Sequence, residues 1–255
     1  MAYPQYMDYK VSIARGQADA TLTSIHAYCN TMSATTGIVL SPKNLYNMTT
    51  PAANTANAQY MRLTSSQAAD ATAGTGMVQC YLEGIDEDGA SLAEAVLMSG
   101  QTPKTTTNKY VTVNRIWAYT CGSGGINAGD IYITGNADST TAGVPDGTST
   151  SYAVMAAGDG KSSDARYFVP ASYTAYVYNV VTGQNHSTDN TIMRGYIKEP
   201  NKPKQLLAEA VGDKSFQFDV PIKIPEKSYF WIDAYADASA TSADAIVQLV
   251  LHTGD

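Results

Sequence analysis

Charge is scarce in this chain. Of 255 residues only 16 are Lys or Arg and 23 are Asp or Glu, which makes 15% charged and a net charge of −7. No basic run occurs, and this excludes a protein that coats DNA or RNA, since such a surface needs clustered positive charge. Cysteine is also scarce. Cys29, Cys80 and Cys121 are odd in number, widely separated and without CxxC spacing, so they support neither a disulfide framework nor a zinc site. They read as buried thiols of a protein made in a reducing cytoplasm. The three histidines, His26, His186 and His252, form no HxH or HExxH spacing, so no metal site and no catalytic base is expected from them. No window of about 18 apolar residues occurs, and the N-terminal MAYPQYMDYK lacks an apolar signal core, so neither a membrane span nor a secretion signal is expected.

What the chain does have is small, hydroxyl-bearing and aromatic. It contains 35 Ala, 28 Thr, 20 Ser, 20 Gly and 18 Tyr, with 44% hydrophobic residues overall. That composition suits β-sheet surfaces covered by Thr and Ser, and the length suffices for one large core or two modest ones.

Strand signals begin in earnest at Met77. MVQCYLEGI, the turn DEDG and ASLAEAVLM predict a hairpin over 77–98. Further strands, bounded by Gly, Pro, Asn or Asp, are predicted over 109–119, 130–134, 152–157, 164–169, 174–182, 191–198, 205–211, 215–220, 228–235 and 245–252. About a dozen short strands at this spacing imply a sandwich or barrel and not βαβ units. The last of them carries Val247, Leu249 and Leu251 against Ile246, Gln248, Val250 and His252, so both faces are partly apolar, as in a central strand. Gly135–Ser151, Gly183–Asn190 and Asp233–Asp244 read as surface loops. We therefore expect an all-β, antiparallel, jelly-roll-like sandwich architecture with three parts. Residues 1–60 form an extended N-terminal arm with a few short strands, 61–150 a β region carrying the 77–98 hairpin, and 151–255 the jelly-roll-like sandwich. A helix over 13–28 is the lesser alternative for part of the arm.

Candidate chemistry is sparse. Asp86-Glu87-Asp88-Gly89 holds part of a calcium-loop pattern but lacks the distal Glu, and an Asp-Gly turn accounts for it. Gly122–Gly125 and Gly158–Lys161 lack GxxxxGK[ST] and open no helix, and GxSxG is absent. No catalytic, cofactor-binding or metal-binding residue is assigned, and an enzyme is not expected. Tyr173, Tyr176 and Tyr178 read as sandwich packing. In the polar loops Tyr235 is the one aromatic, and it is the residue expected to make a surface contact.

Several segments resemble a group of virion structural proteins of tailed bacteriophages, especially phages of marine bacteria. That group has an SSSxxDTxxGTG segment, a strand ending in GLDxxG, an ExVxLNG strand, a TTxxFxRVxR strand and a GxxxGxNxGxI segment. Here, in the same order, stand LTSSQAADATAGTG, GIDEDG (Gly84–Gly89), EAVLMSGQT (Glu94–Thr102), TTNKYVTVNRI (Thr106–Ile116) and GSGGINAGDIYI (Gly122–Ile133). Ala156–Asp159 and Tyr167–Tyr176 are similar to the group's AxGxxxxxxxYTVPAGxTAYV, and Arg15-Gly16-Gln17 to its opening. Met98-Ser99-Gly100 departs from Leu-Asn-Gly, and Ala171-Ser172 from Ala-Gly. The resemblance implies a non-enzymatic virion component, made in the host bacterial cytoplasm, and it carries over no catalytic or ligand residue. The expected role is capsid decoration or cement on the head shell, as a homotrimer in contact with the major capsid protein or other virion proteins. A tail or fibre component that binds a glycan or receptor is the alternative. Neither nucleic acid nor membrane is an expected partner.

Overall fold

The computed structural model describes residues 20–29, 38–39, 58–147, 149, 151–162, 164–184, 191–236 and 242–253. Every regular element among them is a β-strand. In chain order these are β1 (Ala20–Cys29), β2 (Ile38–Val39), β3 (Gln59–Ser65), β4 (Met77–Ile85), β5 (Ser91–Leu97) and β6 (Lys104–Tyr110). Then come β7 (Thr112–Cys121), β8 (Ile131–Gly135), β9 (Thr140–Thr141), β10 (Val144–Pro145), β11 (Ser151–Met155) and β12 (Arg166–Phe168). The series ends with β13 (Tyr173–Gln184), β14 (Thr191–Lys198), β15 (Gln205–Val211), β16 (Lys214–Ile224), β17 (Tyr229–Ala236) and β18 (Ala243–Thr253).

Two four-stranded sheets, ordered β1-β18-β13-β16 and β12-β17-β14-β15, form the larger sandwich, with β2 also pairing β17. The pairs β1·β18, β12·β17, β13·β16 and β14·β15 nest inside one another along the chain. This is one long antiparallel hairpin rolled into two sheets, the strand order of a jelly roll. Ala243, Ala245, Val247, Leu249 and Leu251 alternate inward from β18 and meet Phe230, Ile232 and Ala234 of β17 across a single core. Val250 on the opposite face is buried as well, in keeping with the central position of β18.

Residues between β2 and β12 build a second sandwich inserted into the first. Its sheets are ordered β11-β8-β3-β6 and β5-β4-β7, and β9 and β10 form a small hairpin beside them. Met61, Leu63, Met77, Leu82, Ile116, Ile131 and Met155 fill the space between. The predicted 77–98 hairpin is β4–β5. Asp86 Oδ1 accepts the Asp88 and Ala90 amides (3.0 and 2.8 Å) while Gly89 takes φ +84°, so this acidic stretch works as a tight turn.

The strand pairing redraws the expected parts. Ala20–Cys29, inside the expected arm, is a ten-residue edge strand paired with β18 along its whole length, and Ile38–Val39 pairs β17. ATLTSIHAYC shows no clean apolar alternation, and only its partner makes it a strand, which also displaces the helix alternative over those residues. The rest of residues 1–57 lies outside the described residues. Ser151–Met155 pairs β8, so it belongs to the inserted sandwich and not to the jelly roll. The single strand expected over 109–119 is split at Val111, where the chain leaves β3 in one sheet to join β4 in the other. Tyr235 lies in β17, not in a loop, and the expected loop over 135–151 contains the β9–β10 hairpin. His186 and residues 237–241 lie outside the described residues.

The two sandwiches share a seam. Ile85, Phe168, Tyr196, Tyr229 and Trp231 form an aromatic cluster there, with Phe168 and Tyr229 edge to face at 4.7 Å. The Asn114 amide donates to Phe168 O and its Oδ1 accepts from Phe168 N, both at 2.9 Å, so one side chain occupies the outer edge of β12 as a strand would. The Ala171 amide donates to Gly89 O at 2.6 Å.

Candidate functional site

The residues that carry the sequence motifs converge on one buried carboxylate. Asp70 is fully buried and accepts four hydrogen bonds, two on each oxygen. Met77 N and Ala128 N donate to Oδ1 at 2.7 and 2.8 Å, and Ser65 Oγ and Gly129 N donate to Oδ2 at 2.6 and 2.8 Å. Ser66 Oγ accepts from Asp130 N, and the Asn127 amide donates to Gly129 O and Ala156 O while accepting from Gly160 N. Glycine is required where these turns press on neighbouring backbone. A Cβ at Gly122 would stand 2.2 Å from Gly74 O, and one at Gly143 would stand 1.9 Å from Ser65 O. This knot ties turns from four parts of the inserted sandwich together. Its polar groups are consumed in holding backbone, so the chemistry they can do is structural.

The histidines are not assembled. His26 and His252 sit on the β1·β18 ladder opposite Ile246 and Ala20, six registers apart, or about 20 Å. Cys80 is buried in the inserted core, and burial pushes its thiol well above the ordinary range. Burial, with the Asp70 charge nearby, also raises Cys121. Among the described residues no three His, Cys, Asp or Glu side chains are grouped to hold a metal, and no helix is long and apolar enough to cross a membrane.

Three surface features remain. Tyr235 projects from the outer face of β17 with the Arg194 guanidinium 4.8 Å from its ring centre, and Arg194 is held by Glu209 at 2.6 Å. Trp231, four residues earlier, is buried in the seam; among the described residues the exposed large apolar side chains of the jelly roll are Leu206, Val211 and Val220. Between β15 and β16 an apolar crevice of about 60 Å³ enters the sandwich, lined by Val180, Met193, Leu207, Phe218 and Ile222. It is far smaller than the several hundred cubic ångströms of a small-molecule site.

The third feature escaped the sequence reading. On the outer face of β5-β4-β7, Tyr81 lies 4.4 Å from Trp117 and 5.4 Å from Tyr119, ring centre to ring centre. A register shift in the β4·β7 ladder beside Gln79 leaves Tyr119 without a cross-strand partner on β4, and it is 57% exposed. At one end of this row Arg115 pairs with Glu83 and lies over Trp117 at 5.4 Å. At the other end Thr120 Oγ1 donates to Gln79 Oε1 at 3.2 Å. Period-two reading of Gln79-Tyr81-Glu83 and of Arg115-Trp117-Tyr119 carries the signal; the pairing of the two strands does not show in sequence.

No protein-family model matches the chain, and no curated protein matches it significantly.

Proposed function

We propose that the protein is a non-enzymatic structural component of a tailed-phage particle that decorates or cements the head shell. The observation that carries this reading is the use made of the motif residues. Ser65, Ser66, Asp70, Gly76, Asn127, Gly129 and Asp130, which carry the resemblance to virion proteins, build the knot of the inserted sandwich, so the likeness concerns the scaffold itself. A scaffold of two joined sandwiches acts by contact area, and on a symmetric lattice weak contacts repeated over many copies gain avidity. The partners of this reading are further copies, as a trimer, and the major capsid protein or other virion proteins; the location is the virion, after synthesis in the host cytoplasm. Tail or fibre placement with host contact is the second reading, favoured by the aromatic face of the inserted sandwich.

Mass spectrometry of purified particles tests both readings. Hundreds of copies per particle are expected for head decoration, whereas about a dozen indicate a tail or vertex. Absence from particles, with the protein confined to lysate, overturns both. Light scattering of the purified protein tests the trimer.

A further inference from the structure

We propose that the outer face of β5-β4-β7 is a binding platform for a neutral oligosaccharide. The claim rests on this face alone and stands whether or not the chain is a virion component. Tyr81, Trp117 and Tyr119 form the apolar centre, and polar pairs bound it at both ends: Gln79 with Thr120, and Glu83 with Arg115. Sugars present the complementary pattern, C–H faces that stack on aromatic rings and hydroxyl edges that need donors and acceptors together. The carboxamide, hydroxyl, carboxylate and guanidinium here supply both kinds. Gln79 and Glu83 stand four positions apart along β4, about 13 Å, a span suited to a short oligosaccharide. Beside the rings, Ala93 and Ala95 of β5 lie opposite Glu83 and Tyr81 and leave a low floor next to the aromatic ridge.

Charge sets the class. Arg115 and Glu83 cancel within the patch, Lys161 adds one cation at its edge where it bridges Trp117, and the chain carries −7 overall, so a polyanionic glycan or nucleic acid is disfavoured. Size argues against a protein partner. Three strands about 4.8 Å apart and some 20 Å long present on the order of 300 Å², well below the roughly 800 Å² per partner of a stable protein interface.

The chain has two tryptophans, and Trp231 is buried in the seam, so a ligand-induced change in emission reports on Trp117. The full-length protein is titrated with maltohexaose, cellohexaose and N-acetylchitohexaose and screened on a printed array of bacterial surface glycans. A saturable response to at least one neutral glycan is expected, weakened about tenfold by Tyr119→Ala with the melting temperature unchanged. Arg115→Ala serves as a second variant that alters polar contacts and leaves the rings in place. No saturable binding by any glycan, or binding that both variants leave unchanged, overturns the proposal. So does self-association abolished by Tyr119→Ala, which would assign the face to a second copy.

Discussion

At the scale of single residues, Asp70 shows how a charge is made safe inside a core. Its four donors come from a serine hydroxyl and three backbone amides, so no counter-ion is needed. Asp70→Ala is expected to cost about 3–5 kcal/mol in denaturant unfolding, because three amides and a hydroxyl lose their acceptor in a dry site. Asp70→Asn should rescue little of this, since an amide NH2 would face N–H donors. A loss below about 1 kcal/mol for the alanine variant would show that water replaces the carboxylate. The sequence made Asp70 visible as part of a motif, yet nothing in one dimension shows that Ser65, Met77, Ala128 and Gly129 meet at it. Tyr235 teaches the converse. It was legible as an isolated aromatic where the strand predicted over 228–235 overlaps the loop predicted over 233–244, and the strand prevails, so Tyr235 stands on a sheet beside Arg194.

At the scale of elements, the short strand β12 joins the two sandwiches and carries a buried pair at its start. Asp164 and Arg166 are both almost fully buried. Burial raises the Asp164 carboxyl to about 7, against the pull of the Arg166 charge. The folded protein therefore holds this proton more tightly than the unfolded chain does. Its contribution to stability is complete below the ordinary carboxylate range and is lost as pH rises through about 7. Thermal melts of the parent and of Asp164→Asn across pH 4 to 8 should diverge, the variant gaining relative stability toward pH 8; parallel curves would show that the carboxylate stays ionised throughout. β14, rich in Ile, Thr and Tyr, and β15, which is not β-rich, both have the limits read from sequence, because Asn, Pro and Gly punctuate their ends. Weakly apolar strands were not so legible. β1 and β6 are rich in Thr, Ser and Asn, and become strands by pairing with β18 and β3, partners far away in the chain.

At the scale of the whole molecule, the jelly roll is closed by β1, which pairs with β18 from Ala243 to His252. Removing residues 1–29 should uncover that edge, lowering the melting temperature and producing aggregates on size exclusion, as exposed strand edges do. A truncated protein that keeps its native elution and melting temperature would count against this. The same feature bears on how the chain is made. The inserted sandwich closes through contacts among residues 58–162 and can form while synthesis continues. The outer sandwich cannot, because β18, near the end of the sequence, is a central strand flanked by both β1 and β13. Residue 20 waits for residue 252, so the outer sandwich is slow to close and leaves unpaired strands exposed until then. A chain cut short on the ribosome lacks its central strand. Any chain that stops before residue 243 leaves both β1 and β13 without the partner they share, so the outer sandwich is complete or it is open along two edges at once.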